Sequence, residues 1–112
     1  MTTKPQADEI AQAIELIRRP EGVQRAELTH RMGNRLYWGS EMLAVMPRDE
    51  SLTIRKAYDC QLHYGIAHTV PEVTGTVPLD RLHQMVIALA RGTQITASLA
   101  QDGQMHYRVT QF

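Results

Sequence analysis

Cys60, His63 and His68 are the residues whose types most directly suggest chemistry. A thiol and two imidazoles are zinc donors, and on a helix Cys60 and His63 would share a face. A stable zinc site takes four protein ligands, or three and a water, and no further donor stands at a recognisable spacing, so no metal is expected. The five His residues have no nucleophile motif or carboxylate pair beside them, and no glycine-rich loop is placed to cradle a phosphate. Neither catalysis nor a cofactor is therefore expected. The other concentration of chemistry is basic. Between residues 18 and 35, Arg18, Arg19, Arg25, Arg31 and Arg35 stand against Glu21 and Glu27. Guanidinium groups pair with phosphates and with the guanine edge, although a solvated helical surface carries the same charges.

The chain that must position these groups has 112 residues, the length of a single domain, here residues 1–112. It is 43% hydrophobic and 21% charged, with one Trp, four Tyr and one Phe, so its core is expected to be aliphatic. Twelve basic side chains balance twelve acidic ones. That balance argues against a nonspecific polyanion binder and equally against an acidic mimic of DNA. The longest apolar run, residues 85–90, is far shorter than the roughly 20 residues of a membrane span. The opening MTTKPQADE has no apolar region of secretory type, and a lone Cys60 fits a reducing compartment. A cytoplasmic protein without a membrane partner is expected.

Periodicity predicts a helix over residues 7–19, with Ile10, Ala13, Ile14 and Ile17 on one side, acids at its start and Pro20 as its stop. A second helix is predicted over residues 24–32, ended by Gly33, and a third between Leu36 and Pro47. Gly39 disfavours the early part of that third helix, so Ser40 is a possible N-cap. Residues 49–64 read as a fourth helix through Ile54, Ala57, Tyr58 and Leu62, with a strand over 52–58 as the competing reading. Residues 66–77 suggest short edge-like strands or extended loop. A further helix is predicted over 79–91, its stripe made by Leu79, Leu82, Met85, Val86 and Leu89. Ile87 lies outside it, as a lone surface residue or a homodimer contact.

The C-terminal segment QITASLAQDGQMHYRVTQF reads as a β-hairpin. A loop of Gln101, Asp102 and a left-handed Gly103 pairs Leu99 with Met105, Ala97 with Tyr107 and Ile95 with Val109, which makes one apolar face. The opposite face then carries Thr96, Ser98, His106, Arg108 and Thr110.

GVQRAELTHRMG, residues 22–33, resembles the second helix and turn of winged helix-turn-helix proteins through Gly22-Val23, Ala26, Leu28 and Met32-Gly33, and the preceding IRRPEG resembles the end of their first helix. The resemblance covers about residues 8–46. Asn34, Gly39, Gln24 and Arg35 depart from the family's pattern. It implies an α+β, winged-helix-like domain, with an N-terminal helical bundle followed by a C-terminal helix and β-hairpin. It further implies a sequence-specific transcriptional regulator that occupies operator DNA. Double-stranded DNA would then be read by Asn34, Arg35, Tyr37, Ser40 and the neighbouring Glu41. Arg25 and Arg31 would contact phosphates, and His106 and Arg108 would sit on the wing, in a homodimer.

The alternative is a phage- or plasmid-type inhibitor or adaptor that uses a helix-turn-helix-like scaffold to bind a protein rather than DNA. Neutral charge and the altered recognition segment favour it. Tyr37 and Trp38, the chain's only aromatic pair, would then anchor the partner; buried, Trp38 would instead fill the space beneath the third helix.

Overall fold

The computed structural model describes residues 7–32, 38–47, 49–68 and 73–111. Its elements are α1 (Ala7–Ile17), β1 (Val23–Gln24), α2 (Arg25–Met32), α3 (Trp38–Val45), β2 (Ser51–Lys56), β3 (Leu62–Ala67), β4 (Gly75–Pro78), a 3-10 turn (Leu79–Arg81), α4 (Leu82–Ala88), β5 (Thr93–Leu99) and β6 (Gln104–Gln111). The strands form one antiparallel sheet in the order β1-β3-β2-β5-β6-β4.

This architecture corrects the winged-helix expectation. The first three helices do not make a free-standing bundle: β1 lies between α1 and α2 and pairs with β3, Val23 facing Tyr64. The helices pack instead on a large sheet. Nor is the C-terminal hairpin a projecting wing, because β5 is hydrogen-bonded on both sides, to β2 and to β6.

The largest local correction is at residues 49–64, where the expected helix is the β2–β3 hairpin. Leu52 and Ile54 are buried while Thr53 is partly and Arg55 largely exposed, the two-residue period of a strand with one covered face. A turn then reverses the chain, Cys60 taking a φ of +69° and the Ala57 N–H donating to the Gln61 carbonyl at 2.9 Å. Helical spacing of Ile54, Tyr58 and Leu62 is coincidental: Tyr58 is in the turn and exposed. Cross-strand pairing on both sides of β2 overrides the local signal.

Other elements follow their sequence patterns. In α1 the stripe Ile10, Ala13, Ile14 and Ile17 is buried, with Asp8 and Glu9 in the first turn. The Arg18 N–H still reaches the Ile14 carbonyl, and the Gly22 N–H closes the following turn on Arg19 at 2.8 Å. Gly22 has a φ of +69°, and a Cβ there would stand 2.4 Å from the Tyr64 carbonyl oxygen. Only glycine lets the chain enter β1 this close to β3.

α3 begins at Trp38, so Gly39 lies in its first turn rather than before it. A Cβ on Gly39 would meet Leu82 at 3.2 Å and Ile54 at 3.6 Å, so the small residue admits α3 close to α4 and β2. The helix predicted over 79–91 is shorter, because Leu89 is already extended. Leu82, Val86 and Leu89 are buried, while Ile87 is 61% exposed. In the C-terminal hairpin the observed register is Leu99↔Met105, Ala97↔Tyr107 and Ile95↔Val109, as the apolar alternation predicts, with Gly103 left-handed.

One core joins all four helices to one sheet face: Ile14 and Ile17 of α1, Leu28 of α2, Met42 and Leu43 of α3 and Leu82 of α4 cluster with Leu52, Ile54, Tyr64, Ile95, Ala97 and Met105. An ion pair fastens its border. Arg18, just past α1, grips Glu50, just before β2, through both carboxylate oxygens, Nη2 to Oε1 at 2.9 Å and Nη1 to Oε2. Glu50 is only 5% exposed, and the exposed His68 Nδ1 stands 3.7 Å from its Oε2. Removing the cation should therefore hurt more than removing the anion, because Arg18 remains partly solvated whereas Glu50 does not. Arg18→Met is expected to cost about 2 kcal/mol, and Glu50→Gln about 1 kcal/mol, in urea-unfolding measurements.

Candidate functional site

The strand residues that alternate away from the core make a second sheet face. Across its centre run Gly65, Thr53, Thr96 and Arg108, each paired with the next, and beside them Gln24, His63, Arg55, Gln94 and Thr110. A third row holds Ser98, His106 and Thr76. The face is not uniformly open. Ser51 and Ser98 are buried at one end, whereas Arg55 and Arg108 are exposed and Thr53, Gln94, Thr96 and Thr110 are partly so. The Gln94 amide donates to Thr96 Oγ1 at 3.1 Å, which leaves hydroxyl and amide groups arrayed along the surface.

Charge is segregated on this sheet. Among the described residues, none of the six strands holds an Asp or Glu, while the outward face carries Arg55, Arg108, His63 and His106. Strand propensity disfavours acids and contributes to this pattern, but it equally disfavours Lys and does not supply the two guanidinium groups. Asp102, in the β5–β6 turn, stands 3.6 Å from His106 Nε2. The Gln104 N–H donates to its Oδ1 at 2.9 Å, and that hydrogen bond, aided by His106, holds the Asp102 carboxyl below its ordinary range.

Where β3 meets β1, the face dips into a hollow of about 350 Å³ between the Arg19–Gly22 turn and the side chains of Thr53, Arg55, His63 and Gln94. Gly65 shapes its floor, since a Cβ there would stand 2.9 Å from Thr53 Oγ1. Arg19 at its rim is held by Glu27 at 2.9 Å.

Among the described residues, those expected to read DNA fall on different sides of the sheet. Arg25 opens α2 on the helical side of the sheet, whereas Arg108 and His106 alternate onto the opposite face. Ser40 is not an outward contact: it is half-buried, and its hydroxyl donates to the Leu79 carbonyl at 3.4 Å. Arg31 lies in α2 and Trp38 opens α3. Asn34, Arg35 and Tyr37 fall outside the described residues. Cys60, His63 and His68 are likewise separated, into the β2–β3 turn, the open face and the end of β3.

Sequence reasoning missed Arg55, Thr53 and Gln94 as site residues. The signal was present in the alternation Leu52-Thr53-Ile54-Arg55, which a helical reading of that segment conceals.

Tyr64, beside His63 on β3, alternates inward to the helical side. Its side chain is 6% exposed, and its hydroxyl makes no hydrogen bond among the described residues. Burial pushes its phenol up from the ordinary value near 10, and the charge of Arg25 opposes that shift. The unfolded chain ionises first. The stability that Tyr64 contributes is therefore complete below the ordinary phenol value and lost as pH rises through the raised one. Tyr64→Phe is expected to change neutral-pH stability by no more than about 0.5 kcal/mol and to flatten the alkaline loss, as read by urea midpoints between about pH 8 and 11.

No helix among the described residues is long and apolar enough to cross a membrane. In comparisons with family models, curated proteins and solved structures, nothing matches this chain.

Proposed function

We propose that this chain is a non-catalytic, cytoplasmic binding protein that docks an acidic surface of another protein on the open face of its sheet. The observation that carries this reading is the charge segregation: strands without a carboxylate, presenting Arg55 and Arg108 among hydroxyl and amide side chains. Arginine is favoured at protein interfaces, and such a face attracts carboxylates from a distance.

Two features weigh against duplex DNA as the occupant. Six strands spaced about 4.8 Å apart span about 24 Å, while a B-DNA major groove about 12 Å wide admits only a two-stranded ribbon or a helix. Arg25 lies across the sheet from Arg108, so these two cations do not form one ridge. A second copy docking face to face would set like charges together, which favours a different partner over a homodimer through this surface.

A photo-crosslinking amino acid at Thr96 is expected to capture a protein in the cells that make the chain, whereas one at Gln12, on the exposed side of α1, should not. The double change Arg55→Glu, Arg108→Glu is expected to weaken the captured partner's binding at least tenfold at low salt, with the gap narrowing as salt rises. A nuclease-sensitive adduct, or an adduct indifferent to the double change, would overturn the reading.

A further inference from the structure

A second hollow lies across the sheet from the open face. It measures about 270 Å³ and is walled by Arg25 of α2, Lys56 of β2, Tyr64 of β3 and His83 of α4, with Leu62 and Val86 supplying apolar surface. Among the described residues, its lining contains no carboxylate. Arg25 makes no side-chain hydrogen bond or ion pair among the described residues. Lys56 spends one of its three protons on the Ile87 carbonyl at 3.2 Å. The Tyr64 hydroxyl, buried beside this cavity, is also without a partner there, and it is close enough to Arg25 to feel its charge.

Two permanent cations and an imidazole around a buried phenol that has no partner among the described residues call for an anionic acceptor. We infer that this hollow binds a small organic carboxylate, its carboxylate group held by Arg25, Lys56 and the Tyr64 hydroxyl and its short aliphatic or aromatic body lying against Leu62 and Val86. The planar guanidinium fork suits a carboxylate bidentately, and the phenol donates the additional hydrogen bond. Leu62 and Val86 beside these cations favour an anion with a hydrocarbon body over a fully hydrated inorganic ion. This site is independent of the docking reading, because His63 and Arg55 face the other side of the same strands.

The test uses benzoate, hexanoate and inorganic phosphate as probes, titrated into the isotope-labelled full chain at low salt and followed by NMR. Benzoate or hexanoate is expected to shift the Tyr64, His83 and Val86 resonances saturably. Arg25→Gln should weaken that binding at least tenfold and Tyr64→Phe several-fold, while Arg91→Gln, at an exposed position outside the hollow, leaves it unchanged. Carboxylate should also slow alkylation of Cys60, which lines the same cavity, by N-ethylmaleimide. Circular dichroism of each variant separates loss of binding from loss of fold. The inference is overturned if no carboxylate produces saturable shifts at these residues. It is also overturned if inorganic phosphate binds as well as the carboxylates, or if Arg25→Gln remains folded and binds normally.

Discussion

The alternation of β2 is the constraint on which the rest of the fold depends. β2 lies between β3 and β5, so each of its residues is committed to one side of the sheet by hydrogen bonds on both flanks. Leu52 and Ile54 face the helices with essentially no exposure, and Thr53 and Arg55 face away. A slip of one residue would bury a guanidinium under α3 and present two aliphatic side chains to water, so the register is tightly specified. Once it is set, Ile54 aligns with Tyr64 on one side and Ile95 on the other, and Leu52 with Ile66 and Ala97. The helices then have one apolar floor to cover, and α1 is fastened to its edge where Arg18 meets Glu50.

Much of the local structure was legible because it depends on residues near one another in the chain. The stripe of α1 and the three-residue loop of the β5–β6 hairpin are of this kind: four apolar residues at helical spacing settle one, and a left-handed Gly103 with alternating side chains settles the other. The β2–β3 hairpin was not legible in the same way. Its segment satisfies a helical pattern through Ile54, Tyr58 and Leu62, and what excludes a helix is pairing on both flanks of β2, with β3 and with β5 some forty residues downstream.

The helical spacing of that segment also conceals the candidate surface. Without β2 the C-terminal hairpin pairs only with the short edge strand β4 and resembles a projecting wing; with β2 it becomes the middle of a broad sheet. His106 and Arg108 were recognisable from the sequence as outward residues of β6. Their neighbours Thr53 and Arg55 were not, because an outward position exists only once the strand and its register do. The arginines first grouped by proximity in sequence are in turn separated: Arg18 serves Glu50, Arg19 serves Glu27, and Arg25 turns to the helical side.

The same alternation makes the two candidate surfaces energetically separate. His63 and Tyr64 are adjacent in β3 and both border the hollow of the open face, but only Tyr64, which alternates inward, also walls the cavity on the helical side. A strand paired on both flanks cannot rotate one of these side chains without displacing its partners, Arg55 opposite His63 and Ile54 opposite Tyr64. At Gly22 the backbone already approaches the Tyr64 carbonyl more closely than any side chain would permit, so β3 has little room to shift toward β1. A ligand on one side therefore gains nothing by moving the strand, and coupling between the surfaces would have to run through the helices, whose contacts with the sheet are by side chains rather than by a hydrogen-bonded ladder.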